Sequence, residues 1–220
     1  MLCMRQLLMI RHGETAWNRE ERIQGQLDAP LNERGRAQAQ ALAQALAREL
    51  DETVCLVASD LSRARDTAEP LGELLSVPIA LEPRFRERHF GALEGRLHAE
   101  WRAEDPQGVE RFRNGDPDYA PPGGEDSRAL EARVVAAVED WVGRGEAQTL
   151  VVVTHGGVVS AFYRWSERLG WFTPRTWSIP NASVSRWRIE CDPSGARRFI
   201  CERLGERLAA VDEALAGCEQ

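Results

Sequence analysis

Three short apolar runs stand out along the chain, Leu7-Leu8-Met9-Ile10, Val54-Cys55-Leu56-Val57-Ala58 and Thr149-Leu150-Val151-Val152-Val153. Each is too short for a helix and rich in branched apolar side chains, which predicts buried strands. The first stops at Arg11-His12-Gly13, the second at Ser59-Asp60, and the third leads through Thr154 into His155-Gly156-Gly157. Between the strands the period becomes helical. Asn32 can cap a helix running to Leu50, with Ala41, Leu42, Ala45 and Leu46 at helical spacing. Further helices are predicted over 62–75 (interrupted or bent at Pro70), over 125–142, and from Gly156 to about 169. Residues 77–81 read as another strand. Residues 183–191 alternate as a solvent-facing or edge strand that pairs with 197–204 across Asp192-Pro193-Ser194-Gly195, and 206–216 form a small amphipathic helix.

Two stretches depart from this alternation. Residues 14–31 are polar and Gly/Pro-punctuated, a long loop with room for one helical turn. Residues 82–124 are rich in Pro, Gly, Arg and Trp with weak periodicity, the character of an excursion that builds a binding site. The pattern predicts an α/β fold: a mostly parallel central sheet flanked by helices, in one domain over 1–220, with 82–124 inserted as a rim.

Composition changes that picture in a few places. The 220 residues carry 28 basic and 35 acidic side chains, a net charge of −7, which opposes general nucleic-acid or membrane-surface binding. Every basic residue is arginine, so chemistry that needs a P-loop, Schiff-base or kinase lysine is excluded. Cys3, Cys55, Cys191, Cys201 and Cys218 show no metal-ligand spacing and read as reduced thiols. Residues 7–10 are too short for a signal-peptide core and no run could span a bilayer, so a cytoplasmic protein is expected. No long heptad or apolar interface stripe appears; a homodimer is compatible with the sequence.

In open parallel sheets, ligands bind beyond the carboxyl ends of strands. Here those ends deliver Arg11-His12, then Ser59-Asp60 leading to Arg63 and Arg65, then His155. Either histidine alone reads as an ordinary strand-end residue, and Arg63 alone as a solvated helix residue. Their shared end of one sheet is what points to chemistry. Neighbouring guanidiniums oppose a dication, so no metal is expected. An anion suits them: guanidinium forks match phosphate oxygens, and the glycine turn opening a helix adds backbone N–H groups.

The stretch Arg11-His12-Gly13-Glu14-Thr15-Ala16-Trp17-Asn18 resembles the signature of the histidine phosphatase superfamily, in the branch similar to cofactor-dependent phosphoglycerate mutase. The resemblance continues through Gln24-Gly25, Asp28-Ala29-Pro30-Leu31 and Ser59-Asp60-Leu61-Ser62-Arg63-Ala64-Arg65-Asp66-Thr67-Ala68. It then takes in Arg86-Glu87-Arg88-His89-Phe90-Gly91 and Val153-Thr154-His155-Gly156-Gly157. These blocks keep their order over residues 5–160; beyond them, Asn181-Ala182-Ser183 is a weak match.

The resemblance implies roles. His12 would be the nucleophile, forming a phosphohistidine, with a carbonyl near Gly13 fixing its tautomer. Arg11, Arg63 and His155 would clamp the transferring group. Asn18 and the Gly156 N–H would donate to phosphate, with Gln24 and Gly25 lining the pocket. Glu87 would protonate the leaving oxygen and later deprotonate water, in place of a surface ion pair with Arg86 or Arg88. His89, His98, Trp101, Trp165, Trp171 and Trp177 read as rim or packing residues. No cofactor is implied.

The same chemistry serves hydrolysis or transfer between two positions of one substrate. Arg96-Leu97-His98 stands where the mutases carry an Asn-Lys pair, and their adjacent Arg-Arg pair has no counterpart before Pro121-Pro122. The resemblance therefore implies a phosphatase acting on a small phosphorylated metabolite, with mutase activity as the alternative. A non-catalytic phospho-ligand module would have lost His12, Arg63, Glu87 or His155, and none is lost. Arg88, Arg96, Arg102, Arg111 and Arg113 suit an anionic metabolite at the rim.

Overall fold

The computed structural model describes residues 4–50, 53–192 and 194–217. Cys3, Pro193 and Cys218 lie outside them. In chain order the elements are β1 (Gln6–Arg11), α1 (Ala16–Arg19), α2 (Glu33–Glu49), β2 (Val54–Ala58), α3 (Ser62–Leu75), β3 (Ile79–Leu81), α4 (His98–Glu104), α5 (Pro106–Arg113), α6 (Ser127–Arg144), β4 (Thr149–Thr154), α7 (Gly156–Ser166), β5 (Val184–Cys191), β6 (Arg197–Glu206) and α8 (Ala209–Gly217).

The sheet has six strands in the order β3-β2-β4-β1-β5-β6. The pairs β3/β2, β2/β4 and β4/β1 are parallel; β1/β5 and β5/β6 are antiparallel. It is thus an α/β fold with a mostly parallel sheet between helices. Strand pleating divides the apolar runs between two cores. Leu7, Met9, Val57, Leu150 and Val152 face a cluster built with Val134, Val138 and Phe162 of α6 and α7. Leu8, Ile10, Leu56, Ala58, Val151 and Val153 face the opposite cluster with Leu42, Leu46, Ala64 and Leu71 of α2 and α3. This is why the parallel strands read as continuous apolar runs: both faces are covered.

Local chemistry sets the helix ends. Asn32 caps α2 by accepting the Gly35 N–H at 2.7 Å, and Asp126 caps α6 by accepting the Ala129 N–H at 2.7 Å. Gly145 closes α6 with φ of 60°, the left-handed conformation that glycine adopts without cost.

Several expectations are corrected. α3 runs through Pro70 without interruption; the ring takes away one helical N–H and the buried face of the helix outweighs that loss. β5 lies inside the sheet, between β1 and β6, and β6 is the edge. β3 is confined to Ile79–Leu81, and α7 stops at Ser166. The 82–124 excursion holds α4 and α5, each too short to register as a periodic pattern, around a satellite cluster of Ile23, Leu93, Trp101, Val109 and Tyr119. Among the described residues, no helix is long and apolar enough to cross a membrane.

Candidate active site

Sheet register brings the site together. In the parallel β1/β4 pair Arg11 lies opposite Thr154, so the residues that follow, His12 and His155, emerge side by side. Their ring centroids are 5.2 Å apart in an edge-on arrangement. On the other flank of β4, Ala58 pairs with Val153, which sets Ser59 beside His155 and starts α3 close enough to deliver Arg63.

His12 is 3% exposed, and its Nδ1 lies 2.7 Å from the Gly13 carbonyl oxygen. A carbonyl can only accept, so Nδ1 carries the proton and Nε2 keeps its lone pair. Burial, then the charges of Arg63 and Arg11, hold the His12 pKa well below the usual histidine value. The ring is therefore neutral at physiological pH. Its turn is tied to α3: Thr67 Oγ1 accepts the Gly13 N–H at 2.9 Å and donates to the Arg63 carbonyl at 2.6 Å.

Arg63 is fully buried; its guanidinium donates to the Leu27 carbonyl at 2.9 Å and the Gly25 carbonyl at 2.7 Å. Arg11 donates to the Ile179 carbonyl at 2.7 Å. The Nε atoms of both are buried without a hydrogen-bond partner among the described residues. Burial lowers each pKa to about 10, which leaves both cationic at neutral pH. His155 is held neutral by burial and then by Arg63.

Glu87, half-buried, accepts the Arg88 N–H at 2.8 Å through Oε1 and the Gly157 N–H at 3.0 Å through Oε2. It has no ion pair with Arg86, which holds Asp60 at 2.7 Å, or with the Arg88 guanidinium, which donates to the Glu125 carbonyl at 2.8 Å. A Cβ on Gly157 would overlap Glu87 Oε1, so the second glycine of the turn is what admits the carboxylate. Two neutral imidazoles, two buried cations and a carboxyl group seated against the first turn of α7 can together bind a phosphoryl dianion, attack it and move a proton.

A model of the histidine phosphatase superfamily, branch 1, matches residues 7–199. The chain belongs to this superfamily. It is 41% identical over 165 residues to the glucosyl-3-phosphoglycerate phosphatase of Mycobacterium tuberculosis, with 71% of this chain and 73% of that protein covered. It is 35% identical over 204 residues to a probable phosphoglycerate mutase GpmB of Enterobacter sp., with 92% and 94% covered. The solved structure of a mycobacterial glucosyl-3-phosphoglycerate phosphatase with VO3 matches at a TM-score of 0.83 and 33% identity, over 92% of this chain and 100% of that one.

In this histidine phosphatase the other predicted site residues take distinct places. Asn18 turns its Oδ1 toward the Thr15 N–H at 3.1 Å and Asn181 Nδ2 at 3.2 Å, which leaves its own Nδ2 as a donor. Gly156 opens α7 against the Arg11 side chain. Gln24 is buried and accepts the Thr15 hydroxyl at 3.1 Å, while Gly25 supplies the carbonyl that receives Arg63.

Sequence reasoning missed several neighbours. Arg133 on α6 donates to the carbonyls of Arg84, Arg86 and Glu87 at 2.7, 2.8 and 3.0 Å, and so braces the segment that carries Glu87. Asn181 donates to the His12 carbonyl at 3.0 Å. Arg175, between α7 and β5, acts electrostatically on Arg11. An arginine in mid-helix or loop has no local signature; only the Asn181 segment carried a signal, its weak family match.

Beside the site lies a cleft of about 400 Å3. Arg11 and Asn18 border it on the side of His12, and Trp17, His98, Arg102 and Arg113 also line it. Of the five rim arginines, Arg88 is buried and holds backbone, while Arg96 and Arg111 pair with Glu104 and Asp116. Arg102 and Arg113 are the two that reach the cleft. His98, predicted as a rim residue, lines it too; its pKa is lowered by burial.

Proposed function

We propose that the chain hydrolyses small anionic phosphomonoesters through a phosphohistidine on His12 Nε2. The observation that carries this reading is the Nδ1 hydrogen bond to Gly13, because it leaves a bare, neutral Nε2 among cationic groups. Nε2 attacks phosphorus; the Nε2–P bond forms as the bond to the ester oxygen breaks, and Glu87 gives that oxygen its proton. Arg11, Arg63 and His155, with Asn18 Nδ2 and the Gly156 N–H, hold the three remaining oxygens. Glu87, now a carboxylate, takes a proton from water; the water oxygen bonds to phosphorus, the Nε2–P bond breaks, and phosphate leaves.

No metal enters this scheme, since the guanidiniums supply the positive charge that a metal would bring. The reaction is expected to continue unchanged in excess chelator. Reduced thiols at Cys55 and Cys201 suit a cytoplasmic setting. The cleft with Arg102 and Arg113 supports a substrate whose alcohol portion bears its own negative charge, and the named phosphatase relative acts on such a compound.

Hydrolysis of an aryl phosphate is expected to fall by roughly 10^3-fold or more in His12→Ala. Retained hydrolysis in that variant would remove His12 as nucleophile. The mutase reading rests on the match to the GpmB-type protein over most of both chains. Conversion of 3-phosphoglycerate to 2-phosphoglycerate faster than release of inorganic phosphate would favour it.

A further inference from the structure

We infer that Ser59 fixes His155 as the Nδ1–H tautomer and so makes this buried ring a hydrogen-bond donor to the transferring phosphoryl group. The inference rests on the reading that His155 holds that group. Ser59 and His155 are both fully buried, and Ser59 Oγ lies 2.9 Å from His155 Nε2. The same Oγ accepts the Leu61 N–H at 3.4 Å.

Hydrogen accounting separates the two neutral forms of the ring. If Nε2 carried the proton, Ser59 Oγ would accept from both Nε2–H and Leu61, and its own hydrogen would have no acceptor among the described residues. Nδ1 would then turn a lone pair toward an anion, which is repulsive. If Nδ1 carries the proton, the Ser59 hydroxyl donates to Nε2 and every hydrogen at this contact is used. Nδ1, a buried atom with no hydrogen-bond partner among the described residues, then has a hydrogen to give.

Burial and the charges of Arg63, His12 and Arg11 also oppose protonation of both nitrogens. Ser59 is a positioning residue on this account: it acts on the phosphoryl group only through the imidazole. Its position is set by the sheet, because its backbone N–H donates to the Val153 carbonyl at 2.9 Å, two residues before His155.

The test is a long-range proton–nitrogen correlation spectrum of the 15N-histidine-labelled full chain with inorganic phosphate. The chain has four histidines, and His155→Gln assigns the ring by removing its signals. The expected pattern is a protonated Nδ1 and a bare Nε2. In Ser59→Ala that pattern is lost and the inhibition constant for inorganic phosphate rises about tenfold, while Ser59→Thr restores both.

A protonated Nε2 in the unaltered chain overturns the assignment without recourse to any variant, and so does a Ser59→Ala protein that keeps Nδ1 protonated. His155→Gln separates the two levels. Undiminished phosphate binding there defeats the clamp reading itself. Weakened binding there, together with a protonated Nε2 in the unaltered chain, defeats only the role given to Ser59.

Discussion

At the scale of single residues, the proposed chemistry depends on keeping two imidazoles neutral. Their folded pKa values lie well below the ordinary histidine value because burial and nearby guanidiniums disfavour the cation. In the unfolded chain both rings protonate below about pH 6.5, so the unfolded state binds more protons and stability falls as pH drops. Each ring contributes roughly 1.4 kcal/mol of loss per pH unit from there down to its own folded pKa, where the loss levels off. Urea unfolding at pH 7 and pH 5 checks this: the difference is expected to shrink in His155→Asn, and an unchanged difference would show that ring to be protonated in the fold. Glu87→Gln is expected to lose about 10^2- to 10^4-fold of turnover on alkyl phosphates. Aryl phosphates, whose leaving groups need no proton, should lose far less; comparing the two series measures the acid role. The identities of His12, Arg63 and His155 were legible because each follows a strand end. The resemblance also implied the carbonyl near Gly13 that holds His12 Nδ1, whereas the contact of His155 Nε2 with Ser59 was not legible, since it joins side chains from two different strand ends.

Elements convert these residues into a site. The parallel register of β1, β4 and β2 aligns His12, His155 and Ser59 at the carboxyl ends of these strands. The apolar runs announced these strands because both faces are buried, and the cap at Asn32 announced the start of α2. What stayed hidden was bracing between elements. Arg133 holds the Glu87 backbone from α6, and the distance between them in sequence leaves no local mark. Gly157 reads in the sequence as part of an anion-binding turn; that it also makes room for the Glu87 carboxylate shows only in the fold. Gly157→Ala is expected to displace Glu87 and lower turnover on alkyl phosphates about as far as Glu87→Gln, with the phosphate inhibition constant little changed. Steady-state kinetics with both substrate types tests this; unaltered turnover would mean that Glu87 need not sit on the α7 N-terminus.

The molecule as a whole separates reaction from selection. The strand ends and α3 carry His12, His155 and Arg63, while the 82–124 segment brings Glu87 to them and, through its apolar cluster around Trp101, supplies the cleft wall. The sequence marked this segment as irregular but gave no account of its interior, because α4 and α5 are only seven and eight residues long and their pattern is set by contacts with Ile23 and Leu93. Arg102→Ala and Arg113→Ala should each raise KM for a phosphomonoester with a second anionic group by about tenfold, and leave that for p-nitrophenyl phosphate nearly constant. Equal effects on the two substrates would assign these arginines a general electrostatic role.

The covalent step is the most direct point of attack. Rapid acid-free quenching of the enzyme during turnover of 32P-labelled aryl phosphate, followed by peptide mapping, should place one acid-labile phosphoryl group on His12. The label should be absent from His12→Ala. Full turnover with label on another side chain, or with none trapped while phosphate accumulates in a burst, would contradict the mechanism.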